Sequence, residues 1–159
     1  MHIHYISEQN SILNHFLAQI RDVNIQKDSM RFRKNIERIG EIMAYELSKT
    51  LDYKEIDVQT PLGIKHTTTI AEPVVLCSIL RAGLALHQGF MSFFDNAENG
   101  FVSAYRHHYD NDDKFEILVE YQAAPSFEGK NLILIDPMLA TGQSLVAVLH
   151  KLHLEQKPK

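Results

Sequence analysis

Leu132-Ile133-Leu134-Ile135-Asp136-Pro137-Met138-Leu139-Ala140-Thr141-Gly142-Gln143-Ser144 is the stretch whose reading decides the fold. Four apolar residues in succession predict a strand covered on both faces, as in a parallel sheet sandwiched by helices. The run stops at the carboxylate of Asp136; a loop of small residues follows, and an amphipathic helix is expected over residues 144–154. In open α/β sheets ligands lie at the carboxyl ends of the strands. A helix N-terminus there adds free backbone N–H groups, which suit an anion. Thr141 and Ser144 bring hydroxyl donors, and Gly142 lets the backbone approach a phosphate with no side chain between. Asp136 beside such a cradle can accept hydrogen bonds from ribose hydroxyls, so the pattern fits a sugar phosphate. An ordinary strand–turn–helix with Thr141 or Ser144 as its cap accounts for the loop alone equally well.

Upstream the same rhythm recurs. Pro73 precedes a second buried run over residues 74–80, which ends at Arg81-Ala82-Gly83 and leads into a helix expected over residues 84–94. Two strand–loop–helix units indicate an α/β fold. Asn99-Gly100 reads as a turn into a strand over residues 101–106, and a further strand is expected over residues 115–121. Between them, the acidic run at residues 110–113 reads as a hairpin tip, because contiguous carboxylates do not converge on a metal.

The N-terminal part is helical by pattern, after residues 1–6, which read as a short strand or a loose arm. Ile12, Leu13, Phe16, Leu17 and Ile20 form a stripe over residues 10–20, capped by Asn10 or Ser11. Asp28 or Ser29 caps a longer helix over residues 30–49, with Phe32, Ile36, Ile39, Ile42, Met43 and Leu47 inward. Arg31, Arg33, Lys34 and Arg38 read as its solvated side. Residues 53–60 and 65–70, joined by Pro61-Leu62-Gly63, predict a β-hairpin arm outside the main sheet and suited to dimerisation. The chain therefore divides into helices at 10–50, a hairpin arm at 53–70 and a core at 73–159, all one domain.

Composition sets limits. The apolar fraction of 45% and charged fraction of 23% are those of a globular chain. A formal net charge of -4 argues against general nucleic-acid binding, which leaves a basic footprint. The single Cys77 excludes an intrachain disulfide, points to a cytoplasmic setting, and reads as a buried small hydrophobe. No apolar run reaches the length of a membrane span, and the N-terminus lacks a signal-peptide core. No pair of histidines stands in a metal-ligand pattern, so no protein metal site is expected.

The segment from Asp136 to Ser144 resembles the phosphoribosyl-diphosphate (PRPP) motif of the type I phosphoribosyltransferases. Most of that superfamily has a second acidic residue where this chain has Pro137. Asp-Pro-Met-Leu-Ala-Thr-Gly is similar to the uracil phosphoribosyltransferase variant, which sets the hypoxanthine and orotate enzymes aside. Ile79-Leu80-Arg81-Ala82-Gly83-Leu84 resembles the same family's pyrophosphate loop, and Tyr105-Arg106 its Tyr-Arg pair entering a hairpin. Arg31-Phe32-Arg33, Tyr45-Glu46 and the hairpin around Pro61 follow in family order. One departure is Gln143, where family members commonly carry a second glycine.

The resemblance implies a type I phosphoribosyltransferase fold, a mainly parallel sheet flanked by helices, and the reaction of uracil with PRPP to give UMP and diphosphate, with Mg²⁺ bound alongside PRPP. It implies catalytic roles for Asp136, Arg81 and Arg106, with Ala82 and Gly83 under the diphosphate. Pro137, Met138, Leu139, Ala140, Thr141, Gly142, Gln143 and Ser144 would form the phosphate loop, Met138 and Leu139 packing to shape it. On the residues alone, Arg81 also reads as a helix-start residue paired with a surface carboxylate, and Arg106 as an edge-strand charge. The resemblance further implies a homodimer or higher homo-oligomer and, as in some relatives, control by GTP. The family's uracil-binding segment, with a Gly-Asp-Ala-Gly-Asp-type loop, lies downstream of the motif. Nothing like it precedes Lys159, so the natural protein is expected to continue. A nucleotide- or RNA-binding regulator on the same fold, and an inactive PRPP-binding scaffold, are the alternatives.

Overall fold

The computed structural model describes residues 2–108, 115–155 and 157–159, with backbone alone at 105–108, 115–118, 120 and 153–155. The acidic run at 110–113 lies outside the described residues. Ser11 accepts the Leu13 amide through its hydroxyl at 3.3 Å and opens α1 (Ile12–Arg21). Asp28 accepts the Arg31 amide at 3.0 Å and opens α2 (Ser29–Ser48). That backbone hydrogen bond holds the Asp28 carboxyl below its ordinary pKa. Between the helices a 3-10 turn, Ile25–Lys27, hangs on Asp22, whose carboxylate accepts the Asn24 amide at 2.8 Å.

The two helices share a polar tie within an apolar interface. Asn35 is fully buried; it donates to Gln19 Oε1 at 2.7 Å and accepts from Arg38 Nη1 at 3.1 Å. Arg38 also lies over the Phe16 ring, 5.2 Å from its centroid. Arg38 therefore joins α1 to α2, and of the four basic residues assigned to the solvated face only Arg31, Arg33 and Lys34 are exposed.

Strands β1 (Tyr53–Thr60) and β2 (Gly63–Ile70) form the hairpin, in register from Tyr53 opposite Ile70 to Thr60 opposite Gly63. They make a separate two-stranded sheet. The core follows as β3 (Val74–Leu80), α3 (Leu84–Met91), β4 (Glu98–His108), β5 (Phe115–Ala123), β6 (Asn131–Ile135) and α4 (Gln143–Glu155). The four strands run in the order β5-β4-β3-β6, with β3 parallel to both neighbours and β5 antiparallel to β4. Among the described residues, no helix is long and apolar enough to cross a membrane.

Alternation along β3 divides the core. Val75, Cys77 and Ile79 pack with Val102, Phe127, Val148 and Leu152 beneath α4. Val74 and Leu76 pack on the opposite face with Leu13, Ile36, Ile39, Leu86 and Phe90 from α1, α2 and α3. On the second face α2 and α3 touch backbone to backbone: a Cβ placed on Gly89 would stand 2.1 Å from the Glu37 carbonyl oxygen. On the first, the Lys151 ammonium donates to the Val119 carbonyl at 2.7 Å and ties α4 to β5.

Two boundaries differ from expectation. Asn99 and Gly100 lie within β4 rather than in a turn, paired with Leu76 and Cys77 of the neighbouring strand. Helix α3 stops at Met91, because Phe94 folds back into the core and its amide bonds to the Phe90 carbonyl at 2.9 Å.

Candidate active site

The loop after β3 is built by short-range hydrogen bonds. The Gly83 amide donates to the Ile79 carbonyl at 2.9 Å and the Leu84 amide to the Arg81 carbonyl at 3.3 Å, after which α3 begins. The Leu80–Arg81 peptide bond is cis. Arg81 and Ala82 are exposed while Gly83 is buried. An open cleft of about 800 Å³ is lined by Leu80, Arg81, Ala82, Ser103 and Ala104. Among the described residues no carboxylate pairs with Arg81, which lines this cleft.

The loop after β6 curls around Asp136. This half-buried carboxylate accepts the Met138 amide at 3.3 Å, an Asx turn that holds the loop off the strand end. Gly142 takes φ +76°, a left-handed conformation that a side chain disfavours. The Thr141 hydroxyl accepts the Gln143 amide at 3.5 Å, and the Val146 amide reaches the Gly142 carbonyl at 2.9 Å as α4 starts. The loop encloses a small hollow of about 60 Å³ between Asp136 and Leu145. Met138 and Leu139 are each 74% exposed, so the expectation that they pack inward is corrected. Both lie outside the core, and Leu139 Cδ1 folds over its own loop at Gly142. Pro137 and Ser144 are half-buried, while Ala140, Thr141 and Gln143 face out.

Parallel pairing brings these loops together. Ser78, near the end of β3, is in register with Ile135, the last residue of β6, so β3 and β6 end at one edge of the sheet, while β4 continues past it. Gly83 sits in the angle between β3 and β6: a Cβ there would lie 2.8 Å from the Ile79 carbonyl oxygen and 3.0 Å from that of Ile135. Gly83 thus stands at the end of β6, one residue before Asp136, while Arg81 and Ala82 line the cleft toward β4. Arg106 lies farther along β4, opposite Ile117 and past the Leu80–Ser103 pair; its side chain lies outside the described residues.

Directly beneath this edge are groups that sequence patterning passed over. Ser78 Oγ lies 2.7 Å from His87 Nδ1, and His87 Nε2 lies 2.8 Å from Asn99 Oδ1. A hydroxyl inside the apolar run 74–80 was the available signal. Cys77 is buried as expected, and burial pushes its thiol up to about 11. Away from the edge, residues 4–7 and helices α1 and α2 enclose an apolar pocket of about 420 Å³ that contains none of the motif residues. Among the described residues, no three His, Cys, Asp or Glu side chains converge as a metal site would require.

The family profile described as "Uracil phosphoribosyltransferase" matches residues 6–158. A Porphyromonas gingivalis protein named uracil phosphoribosyltransferase is 46% identical over 159 residues, covering all of this chain and 73% of that protein. A Methanothermobacter thermautotrophicus protein of the same name is 36% identical over 151 residues, covering 94% of this chain and 68% of its own. The solved AQ2163 protein from Aquifex aeolicus superposes with a TM-score of 0.78 at 29% identity, over 91% of this chain and 67% of that one. A hypoxanthine phosphoribosyltransferase from Staphylococcus aureus, 17% identical, shares the fold with a TM-score of 0.54 over 78% of this chain and 58% of its own.

Proposed function

The chain belongs to the uracil phosphoribosyltransferase family, and from that premise we propose that its two-loop edge binds PRPP and passes the phosphoribosyl group to uracil, giving UMP and diphosphate. The observation that carries this is the wedge at Gly83, which locks the Arg81 loop against the strand end that presents Asp136. The choice of PRPP rests on those two loops, and the choice of uracil on family membership.

Breaking the bond between ribose C1 and diphosphate leaves positive charge on the sugar and negative charge on the leaving group. Arg81, exposed in the cleft, is the group assigned to the leaving oxygens, with a planar fork suited to bidentate binding. A fixed cation aimed at developing charge is commonly the largest catalytic contribution. Arg106, farther along β4, is assigned the same task on the resemblance. Asp136 accepts the ribose hydroxyls and favours the nearby positive sugar. Residues 140–144, with the N-terminus of α4, hold the 5′-phosphate, so that binding of a non-reacting group orients the reacting one.

Mg²⁺ fits these residues as a partner of PRPP rather than as an ion caged by protein. Asp136 is the sole carboxylate lining the loop hollow, and Mg²⁺ is typically held by one or two carboxylates plus substrate phosphates. When bound it neutralises diphosphate charge. Self-association through the hairpin belongs to the same reading. An isolated two-stranded hairpin is marginal in water, and this one carries Leu62 fully exposed and Ile64 63% exposed. An effector role for GTP rests on the resemblance alone, and a cytoplasmic setting is supported by the single buried thiol.

The test is diphosphate release from PRPP with and without uracil. Uracil-dependent release that Asp136→Asn reduces at least tenfold supports the proposal. Release indifferent to uracil, or tight PRPP binding with no release, contradicts it and leaves a binding scaffold.

A further inference from the structure

Val74, Leu76 and Ser78 point from β3 toward the same helical layer, and only Ser78 is polar. It is fully buried. Its hydroxyl lies 2.7 Å from Nδ1 of the buried His87 on α3, and Nε2 of His87 lies 2.8 Å from Oδ1 of Asn99 on β4. The protons in this chain can be placed. Asn99 Nδ2 donates to the Ala97 carbonyl at 3.3 Å, which leaves Oδ1 as the acceptor facing the ring. His87 Nε2 therefore carries the proton. In the neutral ring Nδ1 is then an acceptor and the Ser78 hydroxyl is its donor. Burial favours that neutral ring by lowering its pKa, against the smaller opposing effect of the Asn99 hydrogen bond. The Phe101 ring, 5.0 Å away, closes one side.

The chain of hydrogen bonds ends under the proposed diphosphate loop. Ser78 precedes Arg81 by three residues, at the end of β3, and a Cβ on Gly83 would lie 3.2 Å from Ser78 Cβ. His87 also donates its own amide to the Gly83 carbonyl at 2.8 Å. The same imidazole-bearing residue thus grips Gly83 through its backbone and the strand below it through its side chain. A well-packed apolar side chain would fill this space without desolvating three polar groups. A satisfied polar chain instead fixes one geometry, because any shift leaves a buried donor or acceptor unpaired.

We propose that His87 is a positioning residue for PRPP binding, which acts through Ser78 to hold the loop at residues 81–83 in the conformation that receives diphosphate, with Asn99 fixing the ring's tautomer. This rests on the reading of that loop as the diphosphate site.

The two arms of the imidazole separate by substitution. An asparagine at 87 keeps a short acceptor for Ser78, whereas a glutamine reaches Asn99 and abandons Ser78. The probes are PRPP with Mg²⁺ and inorganic diphosphate, titrated calorimetrically, with thermal midpoints measured in parallel. The loss of one buried hydrogen bond corresponds to about tenfold in affinity. Ser78→Ala and His87→Gln should each weaken both ligands about tenfold, and His87→Asn, which keeps the acceptor for Ser78, should lose much less. Equal affinity in all variants, or losses that simply follow the thermal midpoint, overturns the proposal. Arg81→Ala reports on the site itself. If the unaltered protein binds neither probe, the site reading fails while positioning stays testable by hydrogen exchange at the Gly83 and Leu84 amides. Faster exchange in Ser78→Ala and His87→Gln but not in His87→Asn sustains it, and unchanged exchange overturns it.

Discussion

Gly83 and Ile135 meet backbone to backbone: a Cβ on Gly83 would stand 3.0 Å from the Ile135 carbonyl oxygen, one residue before Asp136. The loop that presents Arg81 is thereby referenced to the strand that presents Asp136. Relative placement of the two groups is then a property of the sheet rather than of either loop.

Gly83→Ala tests that contact. The added methyl collides with the carbonyls of Ile79 and Ile135, neither of which can rotate away as a side chain could. We expect a stability loss of about 1–3 kcal/mol, as for other overpacked interiors, and weakening of PRPP binding beyond that expected from the unfolded fraction. Urea denaturation and PRPP titration of the same sample separate the two effects.

Gly89→Ala should do more damage. Its methyl would lie 2.1 Å from the Glu37 carbonyl and force α2 away from α3. The cost should reach about 3 kcal/mol or more, a larger loss than at Gly83, and the folded fraction should also bind PRPP more weakly because the displaced α3 carries His87. A variant as stable as the parent would show that the helices separate freely.

Cys77 predicts a pH dependence. The unfolded thiol ionises near its ordinary 9.0, and burial pushes the folded one up to about 11. Above the unfolded pKa the unfolded chain sheds a proton that the folded chain keeps, so stability falls as pH rises. The contribution is complete below 9.0 and lost toward about 11. Urea midpoints measured across that window should converge between parent and Cys77→Ala as pH rises. At neutral pH the thiol should react with an alkylating reagent only as fast as the core opens.

The hairpin tip predicts an assembly. Leu62 is fully exposed at the turn between β1 and β2. Sedimentation of the parent protein should give at least twice the chain mass, and Leu62→Glu should shift it toward the monomer. A monomeric parent would remove the hairpin from the functional reading.

Most of the layered fold is legible in the sequence because its signals are local. Ser11 and Asp28, each one of two candidate caps, open their helices, and the largely apolar runs at 74–80 and 132–135 became the two parallel neighbours β3 and β6. Local signals failed where tertiary packing decided. Asn99-Gly100 has turn chemistry but pairs with β3 along β4, and Phe94 leaves α3 to fill the core. Arg38 looked like one of several surface cations until Asn35 and Phe16 enclosed it. The loops after β3 and β6 could be placed because strand end, small-residue turn and helix start are contiguous. The Ser78–His87–Asn99 chain could not, because it joins three elements whose register no local pattern specifies.

The central claim is that residues 81–83 and 136–144 form one PRPP site. The most direct measurement is an amide chemical-shift titration of the isotope-labelled protein with PRPP and Mg²⁺. The account predicts that the amides of Ala82, Gly83, Thr141, Gly142 and Ser144 move together with a single saturation curve, while those around the apolar pocket at residues 4–7 stay still. Movement of only one loop, two different saturation curves, or shifts confined to the pocket between α1 and α2 would contradict it.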